Sequence, residues 1–153
     1  MKFISKSLKE TDDFAKNLVK LLYSKQQSKQ AVIICLSGEL GAGKTTLVKS
    51  LAKALGIKEH ITSPTFVILK RYKINTPSFK NLIHIDAYRL KSGSELLSLG
   101  WQDIVSEQDN LVFIEWPENV ISVIPKGAVI IRLRVVNESE REIKSIKNLN
   151  LGF

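Results

Sequence analysis

Eight consecutive residues, Gly38–Thr45 (GELGAGKT), leave this chain few folds to choose from. They satisfy G-x-x-x-x-G-K-[ST] at every fixed position, a match that average residue usage gives by chance about once in two hundred such chains. The flanks narrow the choice further. Ala31–Ser37 (AVIICLS) is an uninterrupted apolar run of strand length, the pattern of a strand buried on both faces. Downstream, Leu47, Leu51 and Leu55 recur at helical spacing, and Gly56 stands where a helix C-cap belongs. In a strand–glycine loop–helix frame, backbone N–H groups can converge on phosphate oxygens without hindrance from Cβ atoms. The helix N-terminus adds partial positive charge at the same place. Lys44 is long enough to reach β- and γ-phosphates, and the Thr45 hydroxyl can ligate Mg²⁺.

The rest of the chain reads as elements packed around that frame. Ser7-Leu-Lys-Glu10 has the form of a capping box, and Phe14, Leu18, Leu21 and Leu22 then mark one helical face. The polar stretch Ser24–Gln30 ends this helix. After a loop holding Pro64, FVILKRY and NLIHIDAY predict two strands separated by the turn-like NTPS. Ser94–Leu99 reads as a short helix closed by Gly100, and LVFIE (Leu111–Glu115) as another apolar strand. The segments AVIIRLRVV and REIKSI alternate and predict a hairpin with one wetter face. The expected fold class is α/β. It is a three-layer sandwich with a mostly parallel P-loop NTPase sheet and a β-rich C-terminal hairpin. With 153 residues, one domain over 1–153 is expected.

Composition removes other classes. Apolar residues at 44% and charged residues at 25% exclude a wholly disordered, collagen-like or disulfide-stapled chain. No apolar run approaches the roughly 20 residues of a membrane span. MKFISKSLKE lacks the apolar segment of a secretory signal, and the single cysteine, Cys35, has no internal disulfide partner. A cytoplasmic protein is expected. Lys and Arg number 23 against 15 Asp and Glu, a net charge of +8, which suits an anionic partner such as RNA, DNA or a nucleotide. The N-terminal lysines are interleaved with Glu10, Asp12 and Asp13 and form no compact block, so charge alone decides nothing.

Phosphoryl transfer also needs an acid near the metal, commonly at the C-terminal end of an apolar strand. Asp86 ends LIHID and Glu115 ends LVFIE, and periodicity leaves open which of them serves. TSPTF (Thr62–Phe66) lies where P-loop proteins often carry a γ-phosphate-sensing loop. Pro64 restricts its backbone, and the Thr65 hydroxyl could meet metal, water or phosphate, or simply cap a turn. His84, between Ile83 and Ile85, reads as a structural residue on the opposite strand face from them. Cys35 and Trp101 read as core. Trp116 follows Glu115 on the other strand face and is either a core anchor or a support for the site.

Five segments in order, GELGAGKTTL, TSPTF, HIDAYRL, SELLSLGW and IEWPE, make most of the chain resemble the TsaE family. These are bacterial P-loop ATPases needed to make threonylcarbamoyladenosine at position 37 of tRNAs reading ANN codons. The resemblance implies that Gly38, Glu39, Leu40, Gly41, Ala42, Gly43, Lys44, Thr45 and Thr46 wrap the phosphates of ATP. It implies Thr45 and Glu115 as Mg²⁺ ligands, Asp86 as the second essential acid acting through water, and Thr65 as a switch-like threonine. Arg141 falls where the family has an arginine near the nucleotide, and Thr11 falls near its adenine-side segment. It further implies weak ATP hydrolysis alone and action on a complex of TsaD-like and TsaB-like proteins, with tRNA contact left open.

Two other readings share the same loop. One is a small-molecule kinase, although adenylate-kinase-like loops usually carry proline where this one reads Glu-Leu-Gly-Ala-Gly, and no arginine-rich lid insertion is visible. The other is an RNA-binding module with a regulatory nucleotide site, for which 7% aromatic residues leaves few stacking platforms. A GTPase is disfavoured because the chain has no N-K-x-D tetrapeptide.

Overall fold

The computed structural model describes residues 2–24 and 29–147. In chain order the elements are β1 (Lys2–Ser5), α1 (Leu8–Ser24), β2 (Val32–Ser37), α2 (Lys44–Ala54), β3 (Leu69–Lys73) and β4 (Asn81–Asp86). They continue with α3 (Gly93–Leu97), α4 (Trp101–Ser106), β5 (Asn110–Glu115), β6 (Val129–Val135) and β7 (Arg141–Lys147). Short 3-10 turns at Ala87–Arg89 and Pro117–Val123 leave the ends of β4 and β5. Of the polar stretch expected to close the first helix, residues 25–28 lie outside the described residues.

Local chemistry explains the helix ends. At the start of α1, Ser7 Oγ accepts from the Glu10 N–H at 3.2 Å. Glu10 Oε2 in return accepts from the Lys6 N–H at 2.8 Å, one residue upstream of the usual box. At the end of α2, the Gly56 and Ile57 N–H groups donate back to Lys53 and Ala52, a Schellman closure. Gly100 caps the start of α4 as well as following α3, so the helix at Trp101–Ser106 is an element beyond those the spacing predicted.

Seven strands form one sheet in the order β1-β7-β6-β2-β5-β4-β3. The expectation of a mostly parallel sheet is corrected: the sheet is mixed. β6–β2, β2–β5 and β5–β4 pair in parallel, whereas β1–β7, β7–β6 and β4–β3 pair antiparallel. The reason is connection length. β3–β4 and β6–β7 are joined by turns too short for a parallel crossover, so each hairpin must run antiparallel. β1 then adds to the outside of β7.

Alternate residues of the central strands feed two apolar layers. Ile34, Leu36 and Phe113 pack under Leu18 and Leu22 of α1 and Leu47 and Leu51 of α2. Cys35, Ile83 and Ile114 pack against Leu96 of α3 and Trp101 and Ile104 of α4. Burial pushes the Cys35 thiol up to about 12, so it stays a protonated core group. The sheet is therefore sandwiched between helical layers, as expected of three-layer packing. Among the described residues, no helix is long and apolar enough to cross a membrane.

Candidate functional site

The strand–loop–helix frame forms as the motif demands. β2 ends at Ser37, the loop turns, and α2 begins at Lys44. Gly38 has φ +145°, and a Cβ there would stand 2.3 Å from the Leu133 carbonyl oxygen of β6. Only glycine lets the loop pass that close to the neighbouring strand.

The parallel pairing of β4 with β5 brings the two candidate acids side by side. Asp86 and Glu115 are register partners at the same strand ends, facing the start of α2. Thr45 Oγ1 donates to the Glu115 carboxylate, 2.9 Å from Oε1 and 3.0 Å from Oε2. Asp86 is held by a different set. Its Oδ2 accepts from Thr65 Oγ1 at 2.7 Å and Ser63 Oγ at 3.1 Å, and its Oδ1 accepts from the Tyr88 N–H at 3.0 Å. Thr65 thus reaches an acid, and the TSPTF loop is tied to the end of β4.

Lys44 is only 5% exposed and lies folded across its own loop. Its Nζ donates to the carbonyls of Gly38 at 2.6 Å and Glu39 at 2.9 Å, and stands 3.9 Å from the centre of the Trp116 ring. Trp116 achieves this through a left-handed backbone, φ 58° and ψ 49°, which turns the chain sharply at the end of β5. Burial draws the ammonium below the ordinary lysine range, opposed by the charges of Glu115, Glu118, Asp86 and Glu39.

A cavity of about 390 Å³ opens over these groups, lined by Leu40, Gly41, Gly43, Lys44, Thr45, Thr46, Thr65, Asp86 and Glu115. Ser63, Tyr88 and Trp116 complete its wall. A second hollow of about 220 Å³ shares Gly41, Gly43 and Thr46 with it and is lined by Thr11, Ala42 and Arg141. Thr11 there bonds Ser5 Oγ at 2.7 Å, and Arg141 Nη1 donates to the carbonyls of Asn137, Glu138 and Glu140 across the β6–β7 turn. Two loop residues stand apart. Glu39 points its carboxylate at the Val135 N–H and lines a separate hollow behind the loop together with Gly38.

The donor set fits a hard divalent cation bound with a nucleotide. Thr45 and Glu115 offer two oxygens within bonding distance of each other. No cluster of three or more His, Cys, Asp or Glu capable of holding a metal exists among the described residues. Mg²⁺ suits such a site, because it ordinarily takes one or two protein oxygens and completes its shell with phosphate and water.

Ser63 and Tyr88, at the site, were not singled out from the sequence, and His84 was read there as structural only. His84 is fully buried, with Nε2 2.8 Å from Glu115 Oε1. Its spacing two residues before Asp86 placed both on one strand face and was the available signal.

Comparison with known proteins gives one consistent result. A family model described as "Threonylcarbamoyl adenosine biosynthesis protein TsaE" matches residues 5–143. The tRNA threonylcarbamoyladenosine biosynthesis protein TsaE of Treponema pallidum is 38% identical over 94% of this chain and 98% of its own length. The protein of that name from Rickettsia typhi is 37% identical, over 96% of this chain and 94% of its own. Among solved structures, the crystal structure of YdiB from Bacillus subtilis superposes with a TM-score of 0.71 at 28% identity, covering 95% of this chain and 83% of that one.

Proposed function

This chain belongs to the TsaE family, and from that membership we propose that it is an ATP-binding and ATP-hydrolysing subunit of tRNA threonylcarbamoyladenosine (t6A37) synthesis. It acts on a complex of TsaD-like and TsaB-like proteins that modifies tRNAs reading ANN codons. The observation that carries the reading is the meeting of Thr45 and Glu115 at 2.9 Å beside the folded P-loop lysine. A loop, a hydroxyl and a strand-end acid so arranged are the parts that phosphoryl transfer to water requires.

Each group then has a task. The loop amides and Lys44 hold the β- and γ-phosphates, with Lys44 exchanging its carbonyl partners for phosphate oxygens. Thr45 and Glu115 would hold Mg²⁺, which when bound would neutralise phosphate charge. Asp86, steadied by Thr65 and Ser63, orients the attacking water. Thr11 and Arg141 border the hollow that takes the base side of the nucleotide. The carbamoyl chemistry belongs to the partner proteins, and hydrolysis here resets their complex between turnovers.

The test is a reconstituted modification assay with the TsaB-like and TsaD-like proteins, a threonylcarbamoyl donor and tRNA. Wild-type chain with MgATP is expected to sustain repeated turnover, and Lys44→Ala is not. Equal modified tRNA with and without this chain would overturn the proposal.

A further inference from the structure

Among the described residues, His84 is a buried polar group at the site to which the proposed hydrolysis assigns no task. It sits on β4 opposite Phe113 of β5, two residue pairs below the Asp86–Glu115 pair and so on the same sheet face. Its side chain has no exposure to solvent. One ring nitrogen, Nε2, lies 2.8 Å from Glu115 Oε1. The other, Nδ1, is buried with no hydrogen-bond partner among the described residues.

That asymmetry is informative. A buried polar atom without a partner costs stability. Away from the Asp86–Glu115 pair this face of β4 and β5 is apolar, with Leu82, Leu111 and Phe113 all fully buried. An apolar side chain would fill the place of His84 with no orphaned nitrogen. What the imidazole adds is a single bond, and that bond goes to Glu115. An ionised carboxylate can only accept, so Nε2 is the donor.

We infer that His84 is a positioning residue that sets the orientation of the Glu115 carboxylate for the cation. This rests on the reading of Glu115 as a Mg²⁺ ligand. Glu115 is itself 3% exposed and receives donors from two directions, Thr45 from α2 and His84 from β4. The Thr45 bond spans both oxygens and must open when the hydroxyl and the carboxylate turn to a shared cation. The His84 bond need not open. It holds Oε1 from the β4 side and restrains the carboxylate plane, independently of the Thr45 hydroxyl that reaches both oxygens from α2. Partners of this kind behind a metal ligand typically change metal affinity by about 10–100-fold when removed.

The experiment is calorimetric titration of a non-hydrolysable ATP analogue, with and without Mg²⁺, into wild-type, His84→Gln, His84→Met and Glu115→Gln proteins. Each variant is checked by thermal melting. His84→Met fills the volume without a donor and is expected to lose at least tenfold of the Mg²⁺-dependent gain in affinity. Binding without Mg²⁺ should be unchanged. His84→Gln restores an N–H near the Nε2 position and is expected to recover most of the gain. A wild-type Mg²⁺ gain in His84→Met, with only its melting temperature altered, would make the residue a core filler and overturn the inference. Glu115→Gln separates the underlying reading. If it keeps the full Mg²⁺ gain, Glu115 is not the ligand, and both statements fall whatever His84 does. If Glu115→Gln loses the gain and His84→Met keeps it, only the inference about His84 fails.

Discussion

Lys44 is a cation drawn almost out of water and kept there by two loop carbonyls and the face of an indole. Removing it takes away a charge that is costly to bury along with the bonds it makes, so its effect on stability is small. Its effect on phosphate binding is not. Lys44→Ala should lower ATP turnover by about 10²-fold or more, the scale of a lost transition-state donor. Its melting temperature should stay within about 4 °C of wild type, the shift that 1 kcal/mol gives in a chain of this size. Normal turnover in Lys44→Ala would remove this loop from the active site. The two acids should separate in the same way. Glu115→Ala is expected to weaken Mg²⁺-dependent nucleotide binding more than Mg²⁺-free binding, because the Thr45 hydroxyl meets Glu115. Asp86→Ala should mainly lower turnover, since its carboxylate is bonded to the TSPTF loop instead. Calorimetry with and without Mg²⁺, paired with rate measurements, would reverse the two roles if the pattern were opposite. The motif residues were legible in the sequence because a P-loop is a local object whose spacing is its geometry. Asp86 and Glu115 were legible as strand ends, but not which one faces Thr45. That choice depends on strand pairing, and so does the contact of His84, whose partner is 31 residues away.

The P-loop helix is anchored to its neighbour by one carboxylate. Asp12 of α1 accepts from Ser50 Oγ at 2.7 Å and from Lys53 Nζ at 2.6 Å, both on α2. The hydrogen bond from Lys53, then that from Ser50, holds the Asp12 carboxyl below its usual value of 3.8. A carboxylate with a lowered folded-state pKa stabilises the fold fully above the unfolded value and loses that contribution as pH falls through the folded one. Asp12→Asn should therefore cost about 1 kcal/mol near neutral pH, since Lys53 is largely solvated and its share is screened. The gap to wild type should narrow below pH 3.8. Urea unfolding of both proteins from neutral pH downward reads this directly, and a gap independent of pH would assign the cost to packing. At this scale the sequence showed its limits in β1, α4 and strand direction. Lys2–Ser5 is four residues long, and its register with Arg141–Lys144 comes from the far end of the chain. Gly100 reads as an ending when it also begins a helix. Apolar runs such as those of β2 and β5 report burial on both faces, but not which neighbour runs parallel, so the mixed sheet was hidden from periodicity.

Taken whole, the molecule has a nucleotide-sized cavity at one end of its sheet and no element folded over it among the described residues. The rim instead carries exposed apolar side chains. Phe66 is 85% exposed and Val67 60%, at the downstream end of the loop that holds Asp86, and Tyr88 stands half-exposed against Trp116. Large apolar side chains gathered in the open more often mark a binding surface than an idle one. Water left free around the γ-phosphate weakens every electrostatic interaction that hydrolysis needs, and a protein packed over the rim would exclude it. The expected outcome is slow ATP hydrolysis by the chain alone and clear stimulation by the TsaB-like and TsaD-like proteins together. Phe66→Ser tests the rim itself. Its ring lies outside the cavity, stacked on the Arg89 guanidinium at 4.6 Å, so basal hydrolysis should persist while stimulation and co-elution fall by about tenfold. Rates measured at moderate and high salt would show whether the basic charge of the chain, or tRNA carried by the complex, contributes by long-range attraction. Full activity as an isolated chain, with no co-elution in any nucleotide state, would return the small-molecule kinase to the front.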